Sequence, residues 1–220
     1  MQIRAIIFVL SSLLLASCAV QKPGVYAEMF VKSKTPQEGY VPHSAEGKDF
    51  FIKPVTEASF EPGVDSYHAM HHHGVAFENE WMAYRIYFDK KQTIDIYAKR
   101  TPGLELDACK WYPTDEQLAA GFGDDILRVS GAIGVGACKP WNGEKMIHFD
   151  DVELRTERIV SLSPSEAVCE IVDSAWLAPD GARYNLTTRY TIFAGKRHAM
   201  VEVFLSPLNS PQSVQLPVLC

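Results

Sequence analysis

From residue 75 onward, apolar and polar residues alternate with a period of two, in runs broken by short turn signals. That period places successive side chains on opposite faces of a strand. Phe77–Phe88, Thr93–Lys99, Ile126–Ser130, Val152–Leu162, Glu166–Ala178, Arg183–Phe193 and His198–Leu205 all read as strands. The breaks include Asp89-Lys90-Lys91, Pro179-Asp180-Gly181 and Ala194-Gly195-Lys196, which are turn chemistry. Upstream, Val25–Lys32 and Asp49–Val55 read as strands, with a polar loop carrying Pro36, Gly39, Pro42 and Gly47 between them. Only Asp115–Ala120 reads as helix. Strands joined by such short turns predict an all-β fold, an antiparallel β-sandwich or a wide curved sheet.

The N-terminus sets a second constraint. Arg4 precedes an apolar run from Ala5 to Leu15, and the run closes on Leu15-Ala16-Ser17-Cys18. A short positive region, a short apolar region and small residues before the cut make a secretory signal. The Cys placement resembles a bacterial lipobox, in which the Cys thiol is acylated and becomes the first mature residue. The run is well below the ~20 apolar residues that span a bilayer. The alternatives are an ordinary signal peptide with a chance Cys, or a single membrane anchor. The expected organisation is a lipoprotein signal peptide over residues 1–17, a tether over 18–24, a β-sandwich domain over 25–205 and an irregular Pro-rich tail over 206–220. Lipidation of Cys18 predicts a bacterial cell-envelope protein, and Ala19 favours the outer membrane.

The 220 residues are 47% hydrophobic and 22% charged, a globular composition. A net charge of −6 argues against a nucleic-acid partner, which needs clustered cations. Besides Cys18, the chain has Cys109, Cys138, Cys169 and Cys220. In an oxidising compartment four Cys allow three pairings, and spacing does not choose among them. Cys169, with Ala167 and Ile171 on its own face, reads as a small core hydrophobe. No motif requires a cofactor, and no Cys/His spacing suggests zinc.

Faces can be sorted on one predicted hairpin. A three-residue loop, Lys90–Gln92, pairs Phe88 with Ile94, Ile86 with Ile96, Tyr84 with Ala98 and Arg85 with Tyr97. A two-residue loop sets Ile86 against Asp95 and mixes apolar with polar, so the pattern favours the first register. One face is then core. The other carries Trp81, Arg85, Tyr87, Asp95, Tyr97 and Lys99, which suits a sugar-facing groove or an ordinary solvated sheet face.

The titratable residues gather in one place. Tyr67–Gly74 holds His68, His71, His72 and His73, four of the seven His, and Glu78 and Glu80 follow. Histidine titrates near neutrality, and two close carboxylates can push one pKa up to make a general acid. His72 and His73 are candidate acid or base, with Glu78 and Glu80 as partners within a side chain's reach. Arg85 is a candidate for bidentate contact with a carboxylate. Tyr87 and Trp81 are candidate sugar platforms. Asp124 and Asp125 can meet a sugar hydroxyl or a cation, and also suit a turn. Trp141, before Asn142-Gly143, is a further stacking candidate.

His73–Glu80, Tyr84–Asp89, Asp95–Lys99, Gly123–Val129 and Gly134–Gly136 read H-G-x-A-F-E-N-E, Y-R-x-Y-F-D, D-I-Y-x-K, G-D-D-I-L-R-V and G-x-G. In that order they resemble the bacterial family named domain of unknown function 4861, over about residues 45–205. The resemblance implies secreted proteins or lipoproteins, often encoded beside pectin- and uronate-degrading enzymes. It implies a sandwich like that of galactose mutarotases and several polysaccharide lyases, and a domain that continues past the end of this chain. The expected function is a lipid-anchored envelope protein that acts on or binds a uronate-containing carbohydrate. As an enzyme it would be a carbohydrate lyase, hydrolase or epimerase. The rival is a non-catalytic glycan-binding or structural envelope lipoprotein.

Overall fold

The computed structural model describes residues 24–45, 47–109, 112–127, 134, 136–208 and 218–219. Cys18, Cys220 and the signal segment lie outside the described residues. The chain opens with β1 (Val25–Glu28) and β2 (Phe30–Ser33), followed by β3 (Val41–Ala45), β4 (Lys48–Pro54) and β5 (Glu57–Phe60). Helix α1 (Ser66–Ala69) and a 3-10 turn at His71–His73 lead into β6 (Ala76–Asn79), β7 (Met82–Ile86) and β8 (Ile94–Ala98). The short helices α2 (Leu106–Cys109) and α3 (Asp115–Ala119) precede β9 (Asp124–Asp125) and β10 (Lys139–Pro140). The long strands β11 (Leu154–Leu162), β12 (Glu166–Leu177), β13 (Arg183–Phe193) and β14 (Ala199–Pro207) follow, then β15 (Val218–Leu219).

The protein is mostly β, with antiparallel sheets and few short helices. One five-stranded sheet runs β1-β6-β7-β8-β9 and another β14-β13-β12-β11-β5. A three-stranded sheet runs β2-β4-β3, and β10 pairs with β15. The two five-stranded sheets share one apolar core. Val25, Ala27, Phe77, Tyr84, Ile86, Ile94 and Ile96 enter it from the first, and Ala167, Cys169, Ile171, Tyr190 and Ile192 from the second. Burying each large apolar side chain stabilises by about 1.5–3 kcal/mol. A smaller cluster gathers Phe149, Trp176, Tyr184 and Leu186.

Several sequence expectations are corrected. Phe77–Phe88 is not one strand but a hairpin, broken at Glu80-Trp81. Asn79 makes the break. Its Oδ1 accepts from the backbone N–H of Trp81 at 2.8 Å and of Met82 at 2.9 Å. The next hairpin pairs Arg85 with Asp95, Tyr84 with Ile96 and Ile86 with Ile94, two residues away from the expected register. The faces survive, because a shift of two preserves the alternation and the apolar pattern is indifferent to it. Gln92 takes the left-handed conformation, with φ 46°, on the way into β8. Val41–Ala45 is a strand rather than loop, with Pro42 tolerated because β3 is an edge strand. Pro207 likewise ends β14, another edge strand. The predicted helix is present as α3, capped by a reciprocal Thr114–Gln117 box. The Ile126–Ser130 strand is replaced by Asp124–Asp125, and residues 128–130 lie outside the described residues. Pairing of all four later Cys does not occur: Cys109 and Cys169 are free thiols, while Cys138 is disulfide-bonded.

Candidate functional site

The polar face of the first sheet is present, but it is not an open groove. Glu78, Arg85 and Asp95 are 0%, 2% and 3% exposed. The chain after β8, through α2 and α3, roofs them. Glu78 on the sheet holds this roof by accepting its backbone N–H groups. Glu78 accepts from Glu105 at 2.8 Å and from Leu106 at 2.9 Å, and forms an ion pair with Lys99. Lys99 also donates to the carbonyls of Asn79 and Gly103, each at 2.6 Å. Glu105 in turn accepts from Gly123 at 2.8 Å. Burial pushes the Glu78 carboxyl up, against the pull of Lys99 and the backbone donors. Arg85 donates to Asp95 and to the Tyr112 hydroxyl, and the Tyr87 hydroxyl donates to the same Asp95 at 2.8 Å. Burial raises the Tyr87 phenol, and Asp95 reinforces the shift while Arg85 opposes it.

The histidines divide among different tasks. His71 packs edge-on against the Phe30 and His43 rings. His72 and His73 both take left-handed conformations, at φ 58° and 60°. His72 Nε2 meets Glu28 at 2.7 Å, and Tyr26 donates to the other oxygen of Glu28 at 2.9 Å. The carboxylate on His72 is therefore Glu28 of β1, a partner the sequence reading did not consider. His73 stacks flat on Tyr67, with ring centroids 3.6 Å apart, and its Nδ1–H donates to the Tyr67 carbonyl at 2.9 Å. That bond leaves Nε2 as the acceptor nitrogen of a neutral ring. Burial pushes the His73 pKa down to about 4. Gly74 follows because nothing larger fits: a Cβ there would sit 2.0 Å from the Ile86 carbonyl and 2.9 Å from a Glu157 oxygen. Glu157 is wholly buried, accepts from Val75 N–H at 3.0 Å, and is raised well above the usual carboxylate range by that burial.

Two spaces adjoin these groups. His72, Glu78, Arg85 and Tyr97 surround a small cavity of about 30 Å³ together with Glu105 and Cys109. That volume holds about one water. Burial pushes the Cys109 thiol up to about 12. The larger space is a cleft of about 710 Å³ lined by Phe60, Tyr67, Tyr87, Asp65, Asp89 and Arg155, among others. Tyr67 and Tyr87 lie 5.3 Å apart, edge to face.

Tyr87 alone among the sequence candidates lines the cleft. Glu80 and Trp81 lie at the turn of the β6–β7 hairpin, where Arg197 sits 3.9 Å over the Trp81 ring. Asp124 and Asp125 pair with Ala98 and Tyr97 at the sheet edge. Trp141 bridges to Met146 beside β10. The reading missed Glu28, Tyr67 and Arg155. Tyr67 was within the His-rich stretch and was legible as an aromatic neighbour. Glu28 and Arg155 carried no local signal. Among the described residues, no group of three or more His, Cys, Asp or Glu is placed to hold a metal ion. No helix among them is long and apolar enough to cross a membrane.

The family described as Domain of unknown function (DUF4861) matches residues 16–216. The chain belongs to this family. The DUF4861 match extends beyond residues 45–205, the stretch on which the resemblance was seen, and spans both the roofed polar face and the cleft. No curated protein and no solved structure matches the chain.

Proposed function

We propose that this DUF4861 protein binds a uronate-containing carbohydrate in the cleft, anchored to the bacterial cell envelope by lipid on Cys18. The observation that carries the reading is the lining of the cleft. Tyr67 and Tyr87 offer ring faces for sugar C–H groups, and Asp65, Asp89 and Arg155 offer polar groups for hydroxyls. The stack of His73 on Tyr67 holds that ring in place at little further entropic cost on binding. The core shared by the two five-stranded sheets supports a sandwich of the mutarotase-like kind.

A second reading, carbohydrate lyase, hydrolase or epimerase chemistry, is favoured by one observation. His73 is neutral at pH 7, presents an acceptor nitrogen and lies 6.1 Å from the Tyr87 ring. A neutral imidazole can accept a proton, and with its pKa lowered to about 4 His73 does so as a weaker base than a free histidine. One experiment addresses both readings. Uronate oligosaccharides are titrated into the wild type and Tyr67→Ala, and the same mixtures are analysed for products. Binding weakened about threefold to tenfold in Tyr67→Ala is expected for a lost stacking ring. Product formation abolished by His73→Ala selects the enzyme, and binding without turnover selects the glycan-binding protein. Equal binding by the wild type and Tyr67→Ala rejects the cleft.

A further inference from the structure

We propose that Arg155 is the residue with which the cleft recognises the carboxylate of an acidic sugar; this rests on the cleft being the carbohydrate site. Arg155 lies on β11, is 9% exposed and lines the cleft. Two nitrogens of its guanidinium are already fixed. Nε donates to Asp173 at 2.6 Å, and Nη2 donates to the Phe149 carbonyl. Asp173 is itself buried and is held by the side-chain amide of Gln92. The third nitrogen, Nη1, has no hydrogen-bond partner among the described residues. The result is a rigid guanidinium with one donor group left over at the cleft wall. A donor held in this way suits an oxyanion, because little side-chain freedom is lost when the ligand arrives.

A second buried cation lies near that guanidinium. Asp173 serves two cations, since Lys139 is also wholly buried close enough to feel its charge. Four acids line the cleft, Glu61, Asp65, Asp89 and Asp150, and three of them already hold a partner. Asp65 is bonded to His68 at 2.7 Å, and Asp150 to Lys90 at 2.7 Å. Asp89 accepts from the backbone N–H groups of Lys91 and Gln92 at 2.7 and 3.0 Å. Arg85, the sequence candidate for this task, does not line the cleft and is spent on Asp95 and Tyr112 beneath the roof.

The test compares an unesterified oligogalacturonide with its fully methyl-esterified counterpart, which keeps the rings and hydroxyls but loses the charge. The full chain is expected to bind the acid at least about tenfold more tightly, as a charged hydrogen bond at a partly buried site implies. Arg155→Lys keeps the charge and loses the planar guanidinium that bonds Asp173 and Phe149 while presenting Nη1. Arg155→Gln combined with Asp173→Asn removes the pair together, so that no buried carboxylate is left alone. Circular dichroism melts establish which variants fold. Folded variants are expected to lose the preference for the acid and keep their affinity for the ester. A preference retained in the folded double variant overturns the role of Arg155. Equal wild-type affinity for acid and ester overturns it too, while the carbohydrate site stands. Failure of the wild type to bind either ligand overturns both. The wild-type comparison needs no variant, so it decides the matter even where the substitutions prevent folding.

Discussion

His72 and His73 hold two successive left-handed conformations without being glycine. Each such residue costs on the order of 1–3 kcal/mol and persists only where its surroundings over-determine it. Here the determinants are the Glu28 contact for His72 and the Tyr67 stack for His73. Strain of this kind is concentrated at ligand sites, and His73 adjoins Tyr67 and Tyr87 in the cleft wall. Its titration gives a pH signature. The ordinary imidazole value is 6.5, and burial lowers that of His73 to about 4. As pH falls through 6.5 the unfolded chain takes up a proton that the folded protein refuses until about pH 4. The stability contributed by His73 is therefore complete above pH 6.5 and declines between there and about 4. His73→Phe keeps the stack and removes the titration. The fall in melting temperature between pH 7 and pH 5 is expected to be smaller in that variant. A fall as large as in the wild type would show that the buried neutral imidazole is not its source.

At the scale of the element, the β6–β7 hairpin decides which side chains reach the core. One continuous strand through residues 77–88 would put Glu78 on the face of Met82 and Tyr84, and Phe77 on the face of Arg85. The two-residue turn at Glu80-Trp81 reverses the phase. Phe77 then lies opposite Tyr84 in the core, and Glu78 lies opposite Ala83 on the polar face. That reversal was legible in the alternation, since the apolar positions change from odd to even across residue 80. Asn79 fixes the turn with its carbonyl oxygen, and its Nδ2 donates to the carbonyls of Phe193 and Lys196 at 2.8 and 2.7 Å. It thus joins the hairpin to the turn after β13 in the other sheet. Asn79→Ala removes four hydrogen bonds at a wholly buried residue and is expected to cost about 2–3 kcal/mol in urea denaturation. A loss under about 0.5 kcal/mol would mean that the apolar phase alone makes the turn.

On the scale of the whole molecule, two five-stranded sheets share one core, and the chain after β8 roofs the outer face of the first. The proposed lipid anchor belongs to this scale as well, because it would set where the cleft is presented. Cys18→Ser is expected to move the protein from membrane to soluble fractions and to remove lipid mass from the mature N-terminus. Unchanged partition without lipid mass in the wild type would reject the anchor. The period-two alternation by itself determined the antiparallel strands, the faces of β7 and β8, and core residues such as Ile86, Ile94 and Cys169, because the pleat assigns faces from sequence position alone. It did not determine which charge meets which. Arg85 found Asp95 through a register that alternation leaves open by two residues. His72 found Glu28 across 44 residues, and Val75 found Glu157 across 82. Only tertiary structure decided those pairs, the roof over Glu78 and the guanidinium of Arg155 at the cleft. Each depends on how one sheet, loop or strand lies against another, and a local pattern of polar and apolar residues carries no record of that.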